Sequence, residues 1–246
     1  MEPAKTLSPE NLSFGMLAGH AWRSLKGSRG LSIGALLLTG LLGLMLNVVL
    51  LLVMFVVSRL LFQGNAEMAG VAFEALSRLT DLISGFLLAP MNVGFMFLFF
   101  LTAVRGEKPS LEMIFKPYSQ FGRYVWAGIR IFIFIFLWSL LLFIPGIIAM
   151  LRYFMTYYVL LDHPEYSVKQ AMEESSAIIY GYKWRMVGYD LLWVLIAVPI
   201  IVFTLGIGLL WLVPWMHAFN AAFYETLRRG PQPAETPAEP VAEPAN

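Results

Sequence analysis

The sequence contains no cysteine among its 246 residues, and it is poor in charged side chains. Without cysteine the chain can form neither disulfide bonds nor thiolate metal sites. Charged residues make up 13% of the chain and hydrophobic residues 59%, whereas soluble domains have about 25% charged and about 45–50% apolar residues. Both deviations favour a protein whose main solvent is lipid, and the length suits one sizeable bundle.

Patterns typical of catalysis and of cofactor binding are also missing. The three histidines, His20, His163 and His217, lack HxxxH and HExxH spacing, so the sequence predicts no metal site. There is no GxxxxGK[ST] phosphate loop, and Gly206-Ile207-Gly208 is best interpreted as a turn. No nucleophile elbow is visible. We therefore expect no cofactor, no nucleic-acid partner and no enzymatic activity.

Long apolar runs are the main positive feature. A helix needs about 20 mostly apolar residues to cross a bilayer. The candidate runs are Leu31–Val57, Leu82–Val104, Val125–Phe143, Ile147–Leu161, Met186–Thr204 and Leu209–Leu227. They predict an all-α fold, a polytopic transmembrane bundle of about six helices in three hairpins, over residues 31–229. A cytoplasmic segment, 1–30, precedes this domain, and a Pro/Ala/Glu-rich tail, 230–246, should be disordered.

The fourth run is the shortest. Its residues, Ile147–Leu161, form a helix of only about 22 Å, while the hydrocarbon core is about 30 Å thick. The third and fourth runs are therefore either a full hairpin, with its turn at Pro145-Gly146, or a re-entrant pair. The sequence Asp162-His163-Pro164 resembles a membrane exit and favours the full hairpin.

The distribution of cations indicates the orientation. With the N-terminus inside, only Arg59 and Arg78 of the 17 Lys and Arg residues fall on the outer side, and Arg152 falls within the fourth run. Cationic loops stay in the cytoplasm, so the sequence predicts an inner-membrane protein with both termini cytoplasmic. The 14 inner cations are Lys5, Arg23, Lys26, Arg29, Arg105, Lys108, Lys116, Arg123, Arg130, Lys169, Lys183, Arg185, Arg228 and Arg229.

Three amphipathic segments precede the three hairpins, namely Phe14–Leu25, Leu111–Val125 and Ser167–Ile179. Their apolar residues approximate i, i+3, i+4, i+7 spacing, which predicts helices in the cytoplasmic interface with apolar faces toward the acyl chains. Ser167 and Gln170 predict a capping box for the third segment. The order suggests a threefold repeat, although any set of hairpins places aromatic and cationic residues at the inner interface.

Polar residues inside the apolar runs are the best candidates for a site, because burying them in hydrocarbon is costly. Arg152, with Tyr153 beside it, is the strongest candidate, and Asp190 is its natural partner if the helix register allows it. Asn92, His217 and Asn220 complete the candidate site. These residues either anchor helix packing through interhelical hydrogen bonds or bind a ligand or ion.

The stretch from Leu137 to Leu227 resembles a family of uncharacterised bacterial integral-membrane proteins. The resemblance rests on LWSLL, IPG, an RY dipeptide, a D-x-P-x-x-S-x-x-x-A-x-x-x-S helix, GxKWR and a GIGxLWLxP–FY close. In this sequence the motifs are Leu137–Leu141, Ile144–Gly146, Arg152–Tyr153, Asp162 with Pro164, Ser167, Ala171 and Ser175, Gly181–Arg185, and Gly206–Pro214 with Phe223-Tyr224. That family is distantly similar to the membrane domain of some glycerophosphodiester phosphodiesterases, but no residues remain here for their catalytic barrel. The resemblance implies a bacterial cytoplasmic-membrane location and no assigned activity.

Several functions remain open at this point. We expect a non-enzymatic membrane protein with a role in lipid handling or the cell envelope, and membrane lipids as partners. The alternatives are a small-solute transporter or channel with a site at Arg152 and Asp190, and a permease-like subunit that contacts a cytoplasmic partner through residues 162–181. A membrane enzyme that acts on lipid ranks behind them, because the sequence has no obvious cluster of carboxylates or His–carboxylate pair. A homo-oligomer is compatible with all of them.

Overall fold

The computed structural model describes residues 12–230, and all regular secondary structure in this part of the chain is helical. The α-helices are α1 (Phe14–Ser24), α2 (Arg29–Leu61), α3 (Ala66–Phe100), α4 (Phe121–Leu141), α5 (Phe143–Tyr153), α6 (Thr156–Asp162), α7 (Val168–Ile178), α8 (Lys183–Thr204) and α9 (Leu209–Arg229). A π-helical turn, Leu101–Arg105, extends α3, and two 3-10 turns, Leu111–Ile114 and Lys116–Gln120, lead into α4. The predicted tail from 231 onward and the first 11 residues lie outside the described residues.

Five helical stretches are long and apolar enough to cross a membrane. They are Arg29–Leu61, Ala66–Arg105, Leu111–Leu141, Ile144–Asp162 and Lys183–Thr204. This is consistent with a membrane protein. The sixth predicted run forms α9, which has 21 residues, but its polar side chains leave it too polar for this set.

The first two long helices form an antiparallel hairpin that is longer than expected. The predicted second span begins at Leu82, whereas α3 begins at Ala66, where the Asn65 side chain accepts a hydrogen bond of 3.0 Å from the Met68 amide. An Asn at this position satisfies one of the free amides of the first turn. The connection between α2 and α3 therefore comprises residues 62–65, which is shorter than the sequence predicted.

The sequence predicted the turn between the third and fourth spans at Pro145-Gly146, but the turn lies earlier in the chain. Leu142 adopts an extended backbone, with φ −164° and ψ 150°, and α5 already begins at Phe143. Pro145 then lies in the first turn of α5, where a missing amide donor costs nothing. Because the turn comes earlier, the fourth span lengthens to Ile144–Asp162 and becomes long enough to cross, with a break between α5 and α6.

The three amphipathic segments do not share one structure. α1 and α7 are helices, and the capping box of Ser167 and Gln170 is confirmed. Their apolar faces are buried against the protein itself rather than facing acyl chains, because α1 packs on α9 and α7 packs on α5 and α6. The prediction was wrong for Leu111–Val125, because two 3-10 turns, the second with Pro117 at its start, precede α4.

The hydrophobic core brings together helices from both halves of the chain. The second half of α3, together with α6 and α9, supplies most of the largest fully buried side chains. These are Tyr158, Tyr224, Phe99, Phe100, Phe219, Phe223 and Leu98. Tyr158 stacks on Tyr224 with ring centroids 5.5 Å apart, which ties α6 to α9. We call this packed region, formed by α1, the second half of α3 and α4–α9, the inner body.

Candidate functional site

A cavity of about 410 Å³ lies between α4, α5 and α7 in the inner body. Three of its eight lining residues are basic and one is acidic, and two aromatic residues, a methionine and a serine complete the lining. The lining residues are Arg130, Phe134, Arg152, Tyr153, Lys169, Met172, Glu173 and Ser176. The predicted neighbours Arg152 and Tyr153 therefore line a cavity, and its other walls come from α4 and α7.

Two consecutive serines of α7 hold Arg152 from both sides. The Arg152 Nε donates a hydrogen bond of 2.9 Å to the Ser176 Oγ. The Ser175 Oγ donates one of 2.7 Å to the Arg152 carbonyl, which lies at the break between α5 and α6, where helix ends leave carbonyls free. Because both the backbone and the side chain of Arg152 are bound, its guanidinium is held toward the cavity.

The start of α7 is fixed by a second arginine. The Arg123 guanidinium donates to the carbonyls of Pro164 at 2.6 Å, of Tyr166 at 2.9 Å and of His163 at 3.1 Å. A guanidinium presents several donors in a rigid fork, so it can bind three carbonyls of one loop at once. The helix that carries Lys169, Glu173 and Ser176 is thus anchored at its start by Arg123 and toward its end by Arg152.

The cavity has an excess of positive charge. Arg130 and Arg152 are half-buried, and within residues 12–230 no carboxylate lies at ion-pair distance from either guanidinium. Glu173 forms a long ion pair of 3.7 Å with Lys169, and both side chains are largely exposed, so this contact contributes little. Two partly desolvated guanidinium groups without a counter-ion favour the binding of an anion, and of a phosphate in particular.

The other predicted site residues lie away from this cavity. Asp190 is on an exposed face of α8 and, in the described part of the chain, does not reach Arg152. Its predicted role as the partner of Arg152 is taken by Ser176, because α7 rather than α8 covers that side of α5. Asn92 is exposed on α3, and Asn220 is half-buried on α9.

His217 lies among aromatic rings instead of lining the cavity. Its imidazole stacks on Phe99 at 5.7 Å and meets the edge of Phe95 at 5.1 Å. The Nδ1 atom is buried and has no hydrogen-bond partner within residues 12–230. The contacts tie α9 to α3 through ring packing, and not through the interhelical hydrogen bond that the sequence offered as an alternative. No cluster of three or more His, Asp or Glu residues suited to a metal occurs among the described residues.

Sequence reasoning missed a buried carboxylate at the inner end of the body. Asp162, whose side chain is 5% exposed, pairs with Arg105 at 3.4 Å and with Arg228, and it accepts a hydrogen bond of 3.1 Å from the Tyr224 hydroxyl. It joins the ends of α3, α6 and α9. The sequence identified Asp162 only as a membrane exit, because its partners are 57 to 66 residues away.

Comparisons with known proteins bear on this half of the chain. No curated protein and no solved structure matches the chain. Residues 127–230 match the model of a family described as a protein of unknown function (DUF975). The matched region begins within α4, ends just after α9, and includes every residue that lines the cavity, but it excludes α1, α2 and α3. A domain of this uncharacterised family therefore covers residues 127–230 and contains the whole candidate site.

Proposed function

We propose that the protein is a multi-pass, non-enzymatic protein of the bacterial cytoplasmic membrane that binds the phosphate of an anionic phospholipid headgroup in the cavity between α4, α5 and α7. The observation that carries the proposal is the pair of guanidinium groups, Arg130 and Arg152, that share one cavity and form no ion pair within residues 12–230. A phosphodiester supplies the missing negative charge and accepts hydrogen bonds from both.

The membrane location is supported by helix length and charge. Five helical stretches of the described chain are long and apolar enough to span, and cations concentrate at the end that we assign to the cytoplasm. Tyr180 and Trp184 lie between the cavity helix α7 and the body of α8, and both are strongly exposed, by 79% and 84%. Aromatic side chains of this kind favour the membrane–water interface, which agrees with a cavity at headgroup depth.

A lipid fits the cavity better than a small soluble anion. Arg130 lies about 13 Å along α4 from Phe121 at about 1.5 Å per residue, so the site is below the surface of the inner leaflet. Phe134 and Met172 give the cavity an apolar side. Farther along α4 and α5 the apolar side chains of Leu137 and Ile148 are exposed, and acyl chains can lie against them while the phosphate binds the arginines.

The two alternatives have less support. A transport site of Arg152 and Asp190 requires the two side chains to meet, whereas Arg152 binds Ser176 of α7 and Asp190 is exposed on α8. As a coupling helix, α7 could contact a cytoplasmic partner only through its exposed, mostly polar face, because Val168, Ala171, Met172 and Ser175 are buried in the inner body. The resemblance to the membrane domain of glycerophosphodiester phosphodiesterases is in keeping with a lipid-related role.

Binding of lipid to the purified protein tests the proposal. The wild type and the double variant Arg130→Gln/Arg152→Gln are placed in nanodiscs of phosphatidylcholine, and a fluorescent phosphatidylglycerol is titrated into each. Hydrogen bonds to charged groups contribute about 1.5–3 kcal/mol each, so the double variant should bind at least about tenfold more weakly. Lys108→Gln, which removes an exposed cation outside the cavity, should bind like the wild type.

Competition by inorganic phosphate distinguishes a lipid phosphate from a soluble anion as the ligand. Inorganic phosphate at millimolar concentration should compete poorly, because it lacks the acyl chains that lie along α4 and α5. Strong competition by inorganic phosphate would identify a soluble anion as the ligand. Equal lipid affinity of the wild type and the double variant would refute the site.

A further inference from the structure

The α2–α3 hairpin extends beyond the rest of the molecule. α2 has 33 residues, which is about 50 Å at about 1.5 Å per residue. Two contacts define the antiparallel register: a Cβ added at Gly43 would lie 3.5 Å from the Leu88 Cδ1, and the rings of Phe55 and Phe73 are 5.8 Å apart. By this register Asp81 of α3 is about level with Leu50 of α2.

Charged residues of α3 indicate where the hydrocarbon must end. Glu74, Arg78 and Asp81 are all exposed, and Glu74 pairs with Arg78 on its own helix, at 3.8 Å. Charges of this kind do not face acyl chains. Measured from Leu31 at the inner end, a core of about 30 Å covers about 20 residues and also ends near Leu50. Two independent criteria therefore agree on the outer boundary.

Beyond this boundary α2 remains apolar although lipid no longer surrounds it. Most large apolar side chains of α2 from 51 onward are exposed, by 38% to 67% of their surface, including Phe55, whose ring also contacts Phe73 of α3. We call these residues the outer patch: Leu51, Leu52, Val53, Phe55, Val56, Leu60 and Leu61. Contiguous exposed apolar surfaces outside the membrane mark protein interaction sites.

We propose that the outer patch is the interface with a second copy of this chain, a proposal that rests on the membrane location proposed above. A second copy inserted in the same orientation carries the same patch at the same height, so the two patches meet without any vertical shift. A two-fold axis along the membrane normal makes the contact self-complementary. The two hairpins then form a four-helix arrangement in which each outer patch is covered.

The charges around the patch fit this partner. Arg59 is exposed on α2 beside the patch, and the register puts it within about one turn of the height of Glu74. When α2 of one copy packs beside α3 of the other, Arg59 lies opposite Glu74 of the partner subunit. Opposite charges at matching heights fix the orientation and register of such an interface.

Cysteine crosslinking in native membranes tests the interface without background, because the chain contains no cysteine. Val56→Cys, in the middle of the outer patch, should be converted largely to a covalent dimer by a short bismaleimide. Phe203→Cys is the control, since Phe203 is 86% exposed near the outer end of α8 but lies outside the hairpin. It should stay monomeric at the same protein density.

Charge reversal sharpens the test. In the Val56→Cys background, Arg59→Glu and Glu74→Arg should each lower the crosslinked fraction, and the two together should restore it. Equal crosslinking of Val56→Cys and Phe203→Cys, or a product whose mass shows another protein, would overturn the interface. If the chain is absent from the membrane fraction, the proposed membrane function fails, whereas a membrane-bound monomer refutes only the dimer.

Discussion

The two halves of α3 differ in burial although one continuous apolar helix contains both. From Ala66 to Ala89 few residues are buried, whereas almost every residue from Pro90 to Phe100 is. The first half has α2 as its neighbour, while the second half also packs against α9 and the 3-10 turn at Leu111–Ile114. Burial in this protein therefore depends on the number of helices that surround a segment, not on how apolar it is.

The same lesson applies to α2 and α9. α2 contains the most apolar stretch of the five candidate spans, and no residue of that stretch is buried. α9 is too polar to be counted among the candidate spans, yet Ala218, Phe219 and Phe223 are fully buried. Apolar residues that face lipid need no protein partner, whereas polar residues within the bundle do.

The largest expected effect comes from adding one methyl group to α3. A Cβ at Gly94 would overlap the backbone carbonyl of Ile114, whereas a Cβ at Gly85, nine residues earlier in the same helix, meets no atom within 4 Å. Gly94→Ala should destabilise the protein by about 3 kcal/mol through overpacking. Gly85→Ala should be neutral or stabilise by up to about 1 kcal/mol, because alanine favours helix.

Unfolding by SDS in mixed micelles measures both variants. Similar midpoints for Gly94→Ala and Gly85→Ala would show that the second half of α3 is no more tightly packed than the first. That result would remove the difference between the two halves.

A smaller effect is expected at Asp162. Asp162→Asn removes the negative charge that Arg105 and Arg228 share. Breaking a buried pair costs about 3–5 kcal/mol, and because both arginines are partly exposed we expect about 2 kcal/mol. Asp81→Asn in the hairpin should change the stability by less than about 0.5 kcal/mol, since surface changes rarely do more. Unfolding by SDS measures both variants, and equal losses of stability in Asp162→Asn and Asp81→Asn would contradict the role of Asp162 in joining three helices.

The features that depend on neighbouring residues were predictable. The apolar runs of α2, α4 and α8 lie in helical stretches long enough to cross a membrane, the turn at Gly206–Gly208 lies between α8 and α9, and Ser167 with Gln170 caps α7 as expected. Each of these follows from spacing within a few residues. The neighbouring residues Arg152 and Tyr153 of the candidate site were found in the same way, because a charge inside an apolar run stands out locally.

The features that depend on distant residues were not predictable. The cavity combines Arg130, Arg152 and Ser176 from three helices, and no local pattern indicates that α7, and not α8, lines the cavity beside α5. Asp162 was overlooked for the same reason. The amphipathic faces of α1 and α7 were correctly seen as apolar, but an apolar face does not reveal whether lipid or protein covers it.

The smallest expected effect is a pH dependence that arises where α1 packs on α9. Burial, and then the positive charges of Arg23 and Arg229, lower the pKa of His20 below its usual 6.5. Between the lowered pKa and 6.5 the unfolded chain binds more protons at His20 than the folded chain does. The free energy of unfolding is therefore at its full value above pH 6.5 and declines as the pH falls through that range.

His20→Gln should therefore have a smaller loss of stability between neutral pH and pH 5 than the wild type. Lys26→Gln should retain the full loss, because Lys26 is exposed and is not among the charges that lower the pKa of His20. Identical pH profiles of the wild type and His20→Gln would mean that α1 does not remain packed on α9 in the membrane, and that the inner body is smaller than described.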